Sequence, residues 1–384
     1  MKIAFLTTDN REHYGRYSLT EPFFGTAPEA LLQGLAQLPD LDVHVISCTK
    51  RPMSSPEKLA DNIWFHSLTV SPIGWLRTGY QGCIRAVRRK LREIGPDLVH
   101  GQGTERDCAI SAVLSGYPNV VTIHGNMAEQ ARLFGARLGW YGQIAAILEN
   151  FTLSRTTGVF CNSRYTEDLV RRRAKRTWRV SNPIRVEFFR PLAHGKEPSN
   201  MPLFVCVGAV IPRKQQLAVL DAMETVWRQN RQAKNVFIGQ ADPTNEYAAR
   251  FLQRLKQLEK SGRASYLGEL KLAELLQQFD TAHGIIHFPS EEAFGLVVAE
   301  ALARNLKLFG SRIGGLLDIT DEVEGAELVD YDSPDSLAAA VIKWIDGGCL
   351  CPTNAAAIMR ERYHPVRIAK QHMEIYADVL SNVR

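Results

Sequence analysis

Long hydrophobic segments are missing from this 384-residue sequence. No apolar run approaches the ~20 residues with which a helix crosses a bilayer. The apolar run that follows Met1 is too short for the core of a signal peptide and instead predicts a first strand. We therefore expect neither a membrane-spanning nor a secreted protein.

Cysteine is scarce as well, with seven residues spread along the chain. Cys349 and Cys351 form the only close pair, and the spacing suits neither a zinc site nor a redox dithiol. This usage fits a reducing compartment, so we expect a cytoplasmic protein.

Several catalytic and binding motifs are also absent. The chain contains no His-Glu-x-x-His, no Walker loop and no Gly-x-Gly-x-x-Gly followed by an acid, which argues against metalloproteases, ATPases and dehydrogenases. The formal charge of +5 is modest, and no nucleic-acid-binding motif accompanies it. We expect no nucleic-acid partner.

One Asp-x-Asp sequence, Asp330-Tyr331-Asp332, resembles a metal-binding motif. It follows a predicted strand and leads into Ser333 and Pro334, which are typical of a helix cap, so we interpret it as a turn. We expect neither an obligatory metal nor another cofactor.

What the sequence does contain is typical of a globular protein, with 45% hydrophobic and 23% charged residues. A chain of 384 residues is too long for one ordinary core and suits two domains. Short β-rich runs alternate with longer helical patterns, which predicts parallel sheets with helices on both faces. The predicted strands lie near residues 3–7, 43–47, 98–100, 120–123 and 159–161, then 203–207, 236–238, 285–288 and 306–309.

The boundary between the two domains is predicted at Asn182-Pro183-Ile184-Arg185, because the residue before a proline is pushed out of helical geometry. The first domain then covers residues 1–183 and the second covers residues 184–364. A last helical pattern occupies residues 365–384. We therefore expect an α/β protein made of two doubly wound units.

The most informative segment, residues 289–303, places Glu292 at a loop-to-helix junction and Glu300 inside an apolar helix. Glu300 lies ~7 Å along that helix from its start near Gly295. An ionised carboxylate in such surroundings costs several kcal/mol unless hydrogen-bond donors meet it, so a polar group must approach Glu300. The N–H groups at the helix start favour an anion such as a diphosphate. One elongated ligand could contact all three features.

A structural alternative stays open for the same residues. Arg304 or Arg312 could neutralise Glu300, while Glu292 would merely cap the helix, because ion-pair networks also produce carboxylates of this kind.

The two glutamates, with seven residues between them, resemble the signature of the retaining GT-B glycosyltransferases, in the large family of sucrose synthase and mannosyltransferase-like enzymes (glycosyl transferases group 1, family 4). The resemblance implies two Rossmann-like domains facing a central cleft, with the helix at 365–384 packing back on the first. In that family the first glutamate contacts the donor sugar, the second contacts the ribose, and the backbone between them holds the diphosphate. The matching positions are Glu292, Glu300 and the turn residues Phe294, Gly295, Leu296 and Val297.

The match to the family pattern has departures. Ala293 stands where the motif usually has glycine, and Asp318 replaces the glutamate of a later Gly-Gly-x-x-Glu. After the strand at 203–207, Gly208 and Lys214 match family positions, but Ala209 stands where an arginine is usual. We expect Arg213 to substitute for it, and the alternative is that Arg213 and Lys214 are ordinary solvated charges.

In the first domain, His124 directly follows the strand at 120–123 and resembles the family histidine that faces the donor sugar. A lone histidine is often structural, and that alternative stays open. Gly25 and Thr26 occupy the place of the family's glycine loop beside the diphosphate, with one glycine where two are common.

The resemblance implies a retaining hexosyltransferase of glycan biosynthesis that moves a sugar from a nucleotide diphosphate to an acceptor hydroxyl. His124, Lys214 and Glu292 are the expected catalytic residues. The expected acceptor is a glycan or a lipid-linked molecule, and the base, the sugar and the acceptor stay undetermined. The alternatives are a GT-B epimerase or phosphorylase, or a regulator that binds a nucleotide sugar without catalysis.

Residues 75–94 combine six basic side chains with apolar ones. This pattern predicts either a helix that lies on anionic lipid at the inner face of the membrane or an ordinary solvated helix face.

Overall fold

The computed structural model describes residues 1–192, 198–229 and 231–382, with the side chains of residues 134–138 left aside. The chain divides into two compact units. One comprises Met1–Arg185 together with Tyr363–Arg384, and the other comprises Val186–Arg362. Each boundary lies two residues from the predicted one, which was placed after residue 183 and after residue 364.

The first unit is an α/β structure in which strands and helices alternate, beginning with a strand. Its elements up to the unit boundary are β1 (Lys2–Leu6), α1 (Asn10–His13), α2 (Thr26–Leu35), β2 (Asp42–Thr49), β3 (Lys58–Ala60), β4 (Ile63–Thr69), α3 (Gln81–Ile94), β5 (Leu98–Gln102), α4 (Asp107–Val113), β6 (Asn119–Ile123), α5 (Met127–Arg155), β7 (Gly158–Cys161), α6 (Arg164–Val170) and β8 (Thr177–Arg179). The eight strands form one sheet in the order β3-β4-β2-β1-β5-β6-β7-β8. All neighbouring strands are parallel except β3 and β4.

The second unit repeats the alternation of strands and helices. Its elements are β9 (Leu203–Val207), α7 (Gln216–Arg228), β10 (Lys234–Ile238), α8 (Glu246–Glu259), β11 (Ala264–Tyr266), α9 (Leu272–Thr281), β12 (Gly284–His287), α10 (Leu296–Leu302), β13 (Lys307–Ser311), α11 (Leu316–Thr320), β14 (Ala326–Val329), α12 (Pro334–Asp346) and α13 (Ala355–Tyr363). Six parallel strands form the order β11-β10-β9-β12-β13-β14. Both units therefore have the doubly wound architecture that the sequence predicted.

The last helix, α14 (Pro365–Ser381), belongs to the first unit and packs against α2. Its residues Ile368, Tyr376 and Val379 are buried in the core formed with that helix. The two helices approach so closely that a Cβ on Gly34 would lie 2.2 Å from the carbonyl oxygen of Pro365. Any larger residue at position 34 would therefore push α2 and α14 apart.

The buried strands read as continuous apolar runs because helices cover both faces of a parallel sheet. Ile3, Ala4 and Phe5, for example, are consecutive in β1 and fully buried. Helix α3 is amphipathic instead, and its apolar positions 83, 84, 87 and 91 face the core.

All nine predicted strands are confirmed, as is the cap at Ser333, whose Oγ accepts a hydrogen bond from the backbone N–H of Ser336. The strand expected just before Asp330 is β14. The pattern missed β3, β4, β8 and β11, which are short or lie at or next to a sheet edge, where half-exposed positions dilute the apolar signal. Within the described residues, every helix falls short of the length and apolar character needed to cross a membrane.

Candidate functional site

The loop after β9 carries the predicted Gly208, Arg213 and Lys214. Gly208 approaches Gly239, the residue after β10, so closely that a Cβ on Gly239 would lie 2.2 Å from the carbonyl oxygen of Gly208. A short 3-10 turn, Pro212–Lys214, then ends at Gln215 in left-handed geometry. The side-chain amide of Gln215 donates to the carbonyl oxygen of Phe288 at 3.0 Å. This bond holds the loop after β9 against the loop after its sheet neighbour β12.

The held loop brings Lys214 onto Glu292, which is 78 residues away in the chain. The ammonium of Lys214 donates to Glu292 Oε2, and His287 Nε2 lies 3.0 Å from the same oxygen. The side chains of Lys214 and Glu292 are only 16% and 12% exposed, so the pair is largely shielded from water. His287 was not singled out from the sequence, although it lies in the predicted strand at 285–288 and is the last residue of β12.

The charges of this cluster are set by burial and by each other. Burial by itself would raise the pKa of Glu292, but Lys214, His287 and Arg213 outweigh it and hold the pKa well below its usual range. Burial and the nearby Lys214 lower the pKa of His287, so its imidazole is neutral near pH 7. The cluster is therefore an ionised carboxylate held by one cation and one neutral N–H donor.

The second predicted cation, Arg213, pairs with Glu291 instead of Glu292. Its Nη1 donates to the carbonyl oxygen of Glu291 at 2.9 Å and lies 3.3 Å from Glu291 Oε2. The backbone N–H of Ser290 donates to the carbonyl oxygen of Arg213 at 2.9 Å. The adjacent cations Arg213 and Lys214 thus pair with the adjacent acids Glu291 and Glu292. The side chain of Arg213 therefore packs within the loop structure instead of extending into solvent.

The turn between Glu292 and α10 is locked by glycines. Gly295 has φ of 101°, a region that favours glycine, and a Cβ there would lie 2.5 Å from Leu316 Cδ2. A Cβ on Gly315 would lie 2.4 Å from the carbonyl oxygen of Ala293. The N–H of Gly315 donates to the carbonyl oxygen of Glu292 at 3.0 Å. The turn is therefore held closely against the segment that begins α11.

Glu300 lies in α10 and is buried, with 3% of its surface exposed. The two arginines of the structural alternative each have at least one partner, and these contacts do not decide that alternative. Arg304 pairs with Asp280 at 2.6 Å, and Arg312 donates to the carbonyl oxygen of Leu328 at 2.6 Å. Of the remaining turn residues, Phe294 is buried and Leu296 and Val297 are half-buried.

In the first unit, His124 follows β6 and belongs to a chain of polar side chains. Its Nε2 lies 2.9 Å from Gln102 Oε1, and Gln102 Nε2 lies 3.0 Å from His100 Nε2. His100 Nδ1 in turn lies 2.5 Å from the hydroxyl of Tyr376 in α14. Burial, with a smaller contribution from His372, lowers the pKa of His124 to about 4. The neutral ring donates from Nε2 to the amide oxygen, which leaves Nδ1 as an acceptor.

A polar pocket of about 220 Å³ lies at the carboxyl ends of β1 and β5. It is lined by Thr8, Asn10, His13, Gln102, Glu105 and Arg106. Gln102 connects the pocket to His124. These residues were not predicted from the sequence, although each follows a predicted strand, which is where ligands bind in doubly wound sheets.

Glu105 is held between two glycines in this pocket. The N–H of Gly125 donates to Glu105 Oε1 at 2.8 Å, and a Cβ on Gly103 would lie 2.3 Å from Glu105 Oε2. Burial raises the pKa of Glu105, and hydrogen bonds from its own N–H and from that of Gly125 oppose the rise.

Gly25 and Thr26 begin α2, and Gly25 is its N-cap with φ of −64°. A Cβ on Gly25 would meet Pro28 at 3.6 Å, which is an ordinary contact. Neither the backbone angle nor the packing therefore requires glycine at position 25.

Comparisons with known proteins cover both units. The model of the family "Glycosyltransferase Family 4" matches residues 28–188, and that of "Glycosyl transferases group 1" matches residues 192–362. The chain belongs to the group 1 glycosyltransferases of the GT-B fold. The resemblance inferred from Glu292 and Glu300 is thereby confirmed at the level of the family.

This group 1 glycosyltransferase is 28% identical to N-acetyl-alpha-D-glucosaminyl L-malate synthase of Bacillus anthracis over 133 residues. That match covers 34% of this chain and 34% of the relative, so it spans about a third of the relative's length.

Two solved structures are similar over the full length of both chains. Sucrose-phosphate synthase from Thermosynechococcus elongatus has a TM-score of 0.81 at 17% identity, with 100% of each chain covered. Anabaena Alr3699/HepE in complex with UDP-glucose has a TM-score of 0.71 at 18% identity, again with 100% of each chain covered. At these identities the likeness shows the GT-B fold of this glycosyltransferase and leaves its substrates open.

Proposed function

We propose that this protein moves a hexose from a nucleotide diphosphate sugar to an acceptor hydroxyl with retention of anomeric configuration. The observation that carries the proposal is the shielded pair of Lys214 and Glu292 beside the glycine-locked turn at Gly295. Membership of the group 1 glycosyltransferases supports it, and the Anabaena relative in complex with UDP-glucose supports a nucleotide sugar as donor.

Lys214 is the proposed partner of the leaving diphosphate. When the bond between the sugar and the phosphate breaks, negative charge grows on the phosphate oxygens, and a fixed cation in a shielded site stabilises that charge more than water does. The ammonium has three N–H donors, so it can contact a phosphate while it still holds Glu292. Arg213 is the second proposed cation and is anchored by Glu291.

Glu292 is the proposed contact to the donor sugar. Its depressed pKa keeps it ionised, and Lys214 and His287 fix the position of its Oε2. An oriented carboxylate accepts hydrogen bonds from sugar hydroxyls. Glu300 is the proposed ribose contact. We propose that the diphosphate binds to the backbone of the turn, at Phe294, Gly295, Leu296 and Val297. Gly208 is a further proposed contact to the donor.

The first unit is proposed to supply the remaining contacts. The Nδ1 acceptor of His124 is suited to position a hydroxyl of the reacting sugar, because Nε2 is already committed to Gln102. The polar pocket linked through Gln102 suits a hydroxyl-rich acceptor such as a glycan, free or lipid-linked. Gly25 and Thr26 are proposed to lie beside the diphosphate.

We propose front-face attack as the route to retention. The acceptor oxygen forms its bond to the anomeric carbon on the face from which the diphosphate departs, and the acceptor proton passes to the departing phosphate oxygen. Lys214 and Arg213 meet the developing charge, so the proposed reaction needs no obligatory metal or other cofactor. We propose a cytoplasmic location, with electrostatic contact to the inner face of the membrane through residues 75–94.

The test is acceptor-dependent release of nucleoside diphosphate, measured with mixtures of nucleotide sugars and glycan acceptors, followed by NMR of the anomeric proton of the product. Lys214→Ala and Glu292→Ala should each lower turnover at least a hundredfold, as loss of one transition-state contact does. Lys260→Ala, at an exposed lysine on the far end of α8, is the matched control and should be unchanged.

The alternatives give different results in the same assay. Isomerised donor without release of nucleoside diphosphate would indicate an epimerase, and a sugar phosphate formed with inorganic phosphate would indicate a phosphorylase. Binding of donor without any product would indicate a regulator. A product of inverted configuration would contradict retention.

A further inference from the structure

Two of the seven cysteines converge with a carboxylate in the first unit. Cys48 lies at the end of β2, Cys83 in the first turn of α3, and Asp107 is the first residue of α4. The two sulfur atoms and a carboxylate oxygen all lie within 4.8 Å of one another. All three side chains are buried. A further cysteine, Cys108, directly follows Asp107 and is also buried.

We propose that Cys48, Cys83 and Asp107 bind a zinc ion. Thiolate sulfur and carboxylate oxygen are zinc ligands, whereas calcium and magnesium select oxygen ligands alone. Zinc–sulfur bonds of roughly 2.3 Å in a tetrahedral site place two sulfurs roughly 3.8 Å apart. Atoms that already lie within 4.8 Å need to move by only about 1 Å to reach that geometry.

The charge balance of the cluster favours a dication. Two thiolates and one carboxylate carry three negative charges, and Zn²⁺ cancels two of them. The guanidinium of Arg106 acts on Asp107 as the neighbouring cation. An ionised carboxylate among apolar side chains is costly without such partners. The zinc site would therefore leave the cluster close to neutral.

The side chains of this cluster already contact one another. Cys48 hydrogen-bonds to Cys83 and to Asp107. Zinc binding must release the thiol protons to solvent, so the affinity rises with pH. The polar pocket lies on this side of the cluster, because Thr8 and Arg106 line it and Thr8 Oγ1 lies 3.8 Å from Cys108 Sγ.

The proposed ion would connect three elements that are distant in the chain. Its ligands come from β2, α3 and α4, so binding restricts the unfolded chain and stabilises the first unit. This role is independent of the proposed transfer reaction, and its test uses spectroscopy rather than turnover.

The experiment is a titration of the chelator-treated, reduced full-length protein with Co²⁺, followed by absorption spectroscopy. We expect a sulfur-to-cobalt charge-transfer band and visible bands of a tetrahedral site that saturate at one ion per chain. Added Zn²⁺ should abolish both, and zinc should raise the midpoint of thermal unfolding. Absence of the charge-transfer band in the wild-type protein overturns the proposal.

Variants locate the site. Cys48→Ala and Cys83→Ala should each weaken Co²⁺ binding at least tenfold and reduce the charge-transfer band, and Asp107→Asn should weaken binding while keeping the band. The matched control is Cys161→Ala, which removes a buried cysteine from β7 of the same unit and should bind Co²⁺ like the wild type. Equal loss in the control, or a disulfide between Cys48 and Cys83 in the isolated protein, contradicts the proposal. If the alanine variants do not fold, protection of the wild-type thiols from alkylation by Zn²⁺, mapped by mass spectrometry, decides between the outcomes.

Discussion

At the scale of single residues, the pairing of Lys214 with Glu292 joins stability to the proposed chemistry. Both side chains are largely shielded, and a shielded charge that loses its partner is costly. The same feature makes the pair useful for transfer, since a fixed cation needs no reorganisation when the phosphate charge develops.

The depressed pKa of Glu292 predicts a specific dependence of stability on pH. A carboxyl in the unfolded chain has a pKa of about 4.3, and the folded value lies below it. The ionised group therefore adds to the free energy of unfolding above about pH 4.3, and the contribution is lost as the pH falls through the folded pKa. Glu292→Gln should lower the free energy of unfolding by up to about 3 kcal/mol at pH 7 and by less at pH 3.

Urea unfolding of wild type and variant at both pH values measures this difference. Glu361→Gln, at an exposed glutamate of the same unit, is the control and should change little at either pH. If Glu292→Gln lowers the free energy of unfolding equally at pH 7 and pH 3, the charge of Glu292 is not the cause of its contribution to stability.

At the scale of elements, the turn that begins α10 depends on backbone geometry more than on its side chains. Gly295→Ala should cost about 1–3 kcal/mol, because φ of 101° is strained for alanine and the new Cβ would lie 2.5 Å from Leu316 Cδ2. Gly25→Ala is the contrasting change at the start of α2, and it should cost less than about 1 kcal/mol because its φ is −64°.

Thermal and urea unfolding of the two glycine variants test this contrast. If Gly25 lies beside the diphosphate as proposed, Gly25→Ala should also raise the KM for the donor while the fold stays intact. Equal stability loss in both variants would refute the backbone argument.

Helix α3 presents a second element-scale prediction. Its apolar residues are buried in the first unit, while Arg85, Arg88, Arg89 and Arg92 are exposed. Contact with lipid would therefore be electrostatic, because the apolar face is already occupied by the core. Changing the four arginines to glutamine should abolish binding to vesicles that contain anionic lipid, and 0.5 M salt should do the same to the wild type.

Sedimentation with anionic and with neutral vesicles measures this binding. Lys256→Gln with Lys260→Gln, on an exposed face of α8 in the other unit, is the control and should bind as the wild type does. Binding that survives the four changes would place the contact elsewhere or exclude it.

At the scale of the whole molecule, the chain builds two units with separate cores, and the first is completed by the last helix. Tyr376 of α14 contacts His100 of β5, so the chain end supports the polar chain that holds His124. A stability measured for one unit therefore need not describe the other.

Removal of residues 365–382 should destabilise the first unit selectively. It exposes the side of α2 that α14 covers and removes Ile368, Tyr376 and Val379 from the core, at roughly 1.5–3 kcal/mol for each large apolar side chain. Hydrogen exchange read by mass spectrometry should show loss of protection in β1, β5 and α2 and retained protection in β9 and β12. Uniform loss in both units would mean that the two cores unfold as one.

Much of the fold and part of the site could be predicted from the sequence. The strand periodicity located nine strands, and the spacing of Glu292 and Glu300 led to the family that the comparisons confirm. The roles of Glu292, Lys214 and His124 stay predictions. His287, Glu105 and Arg106 were missed, because their significance comes from neighbours that are distant in sequence.

The sequence by itself determined the type and order of the elements, because apolar periodicity and turn residues act within a few positions of the chain. Only the tertiary structure decided that Lys214 meets Glu292 across 78 residues, and that Cys48, Cys83 and Asp107 converge from three elements. The physical reason is that contacts between residues distant in the chain depend on the order of strands in a sheet and on the packing of helices over that sheet. Local patterns do not encode that order, since any two parallel strands with the same burial have the same appearance in sequence.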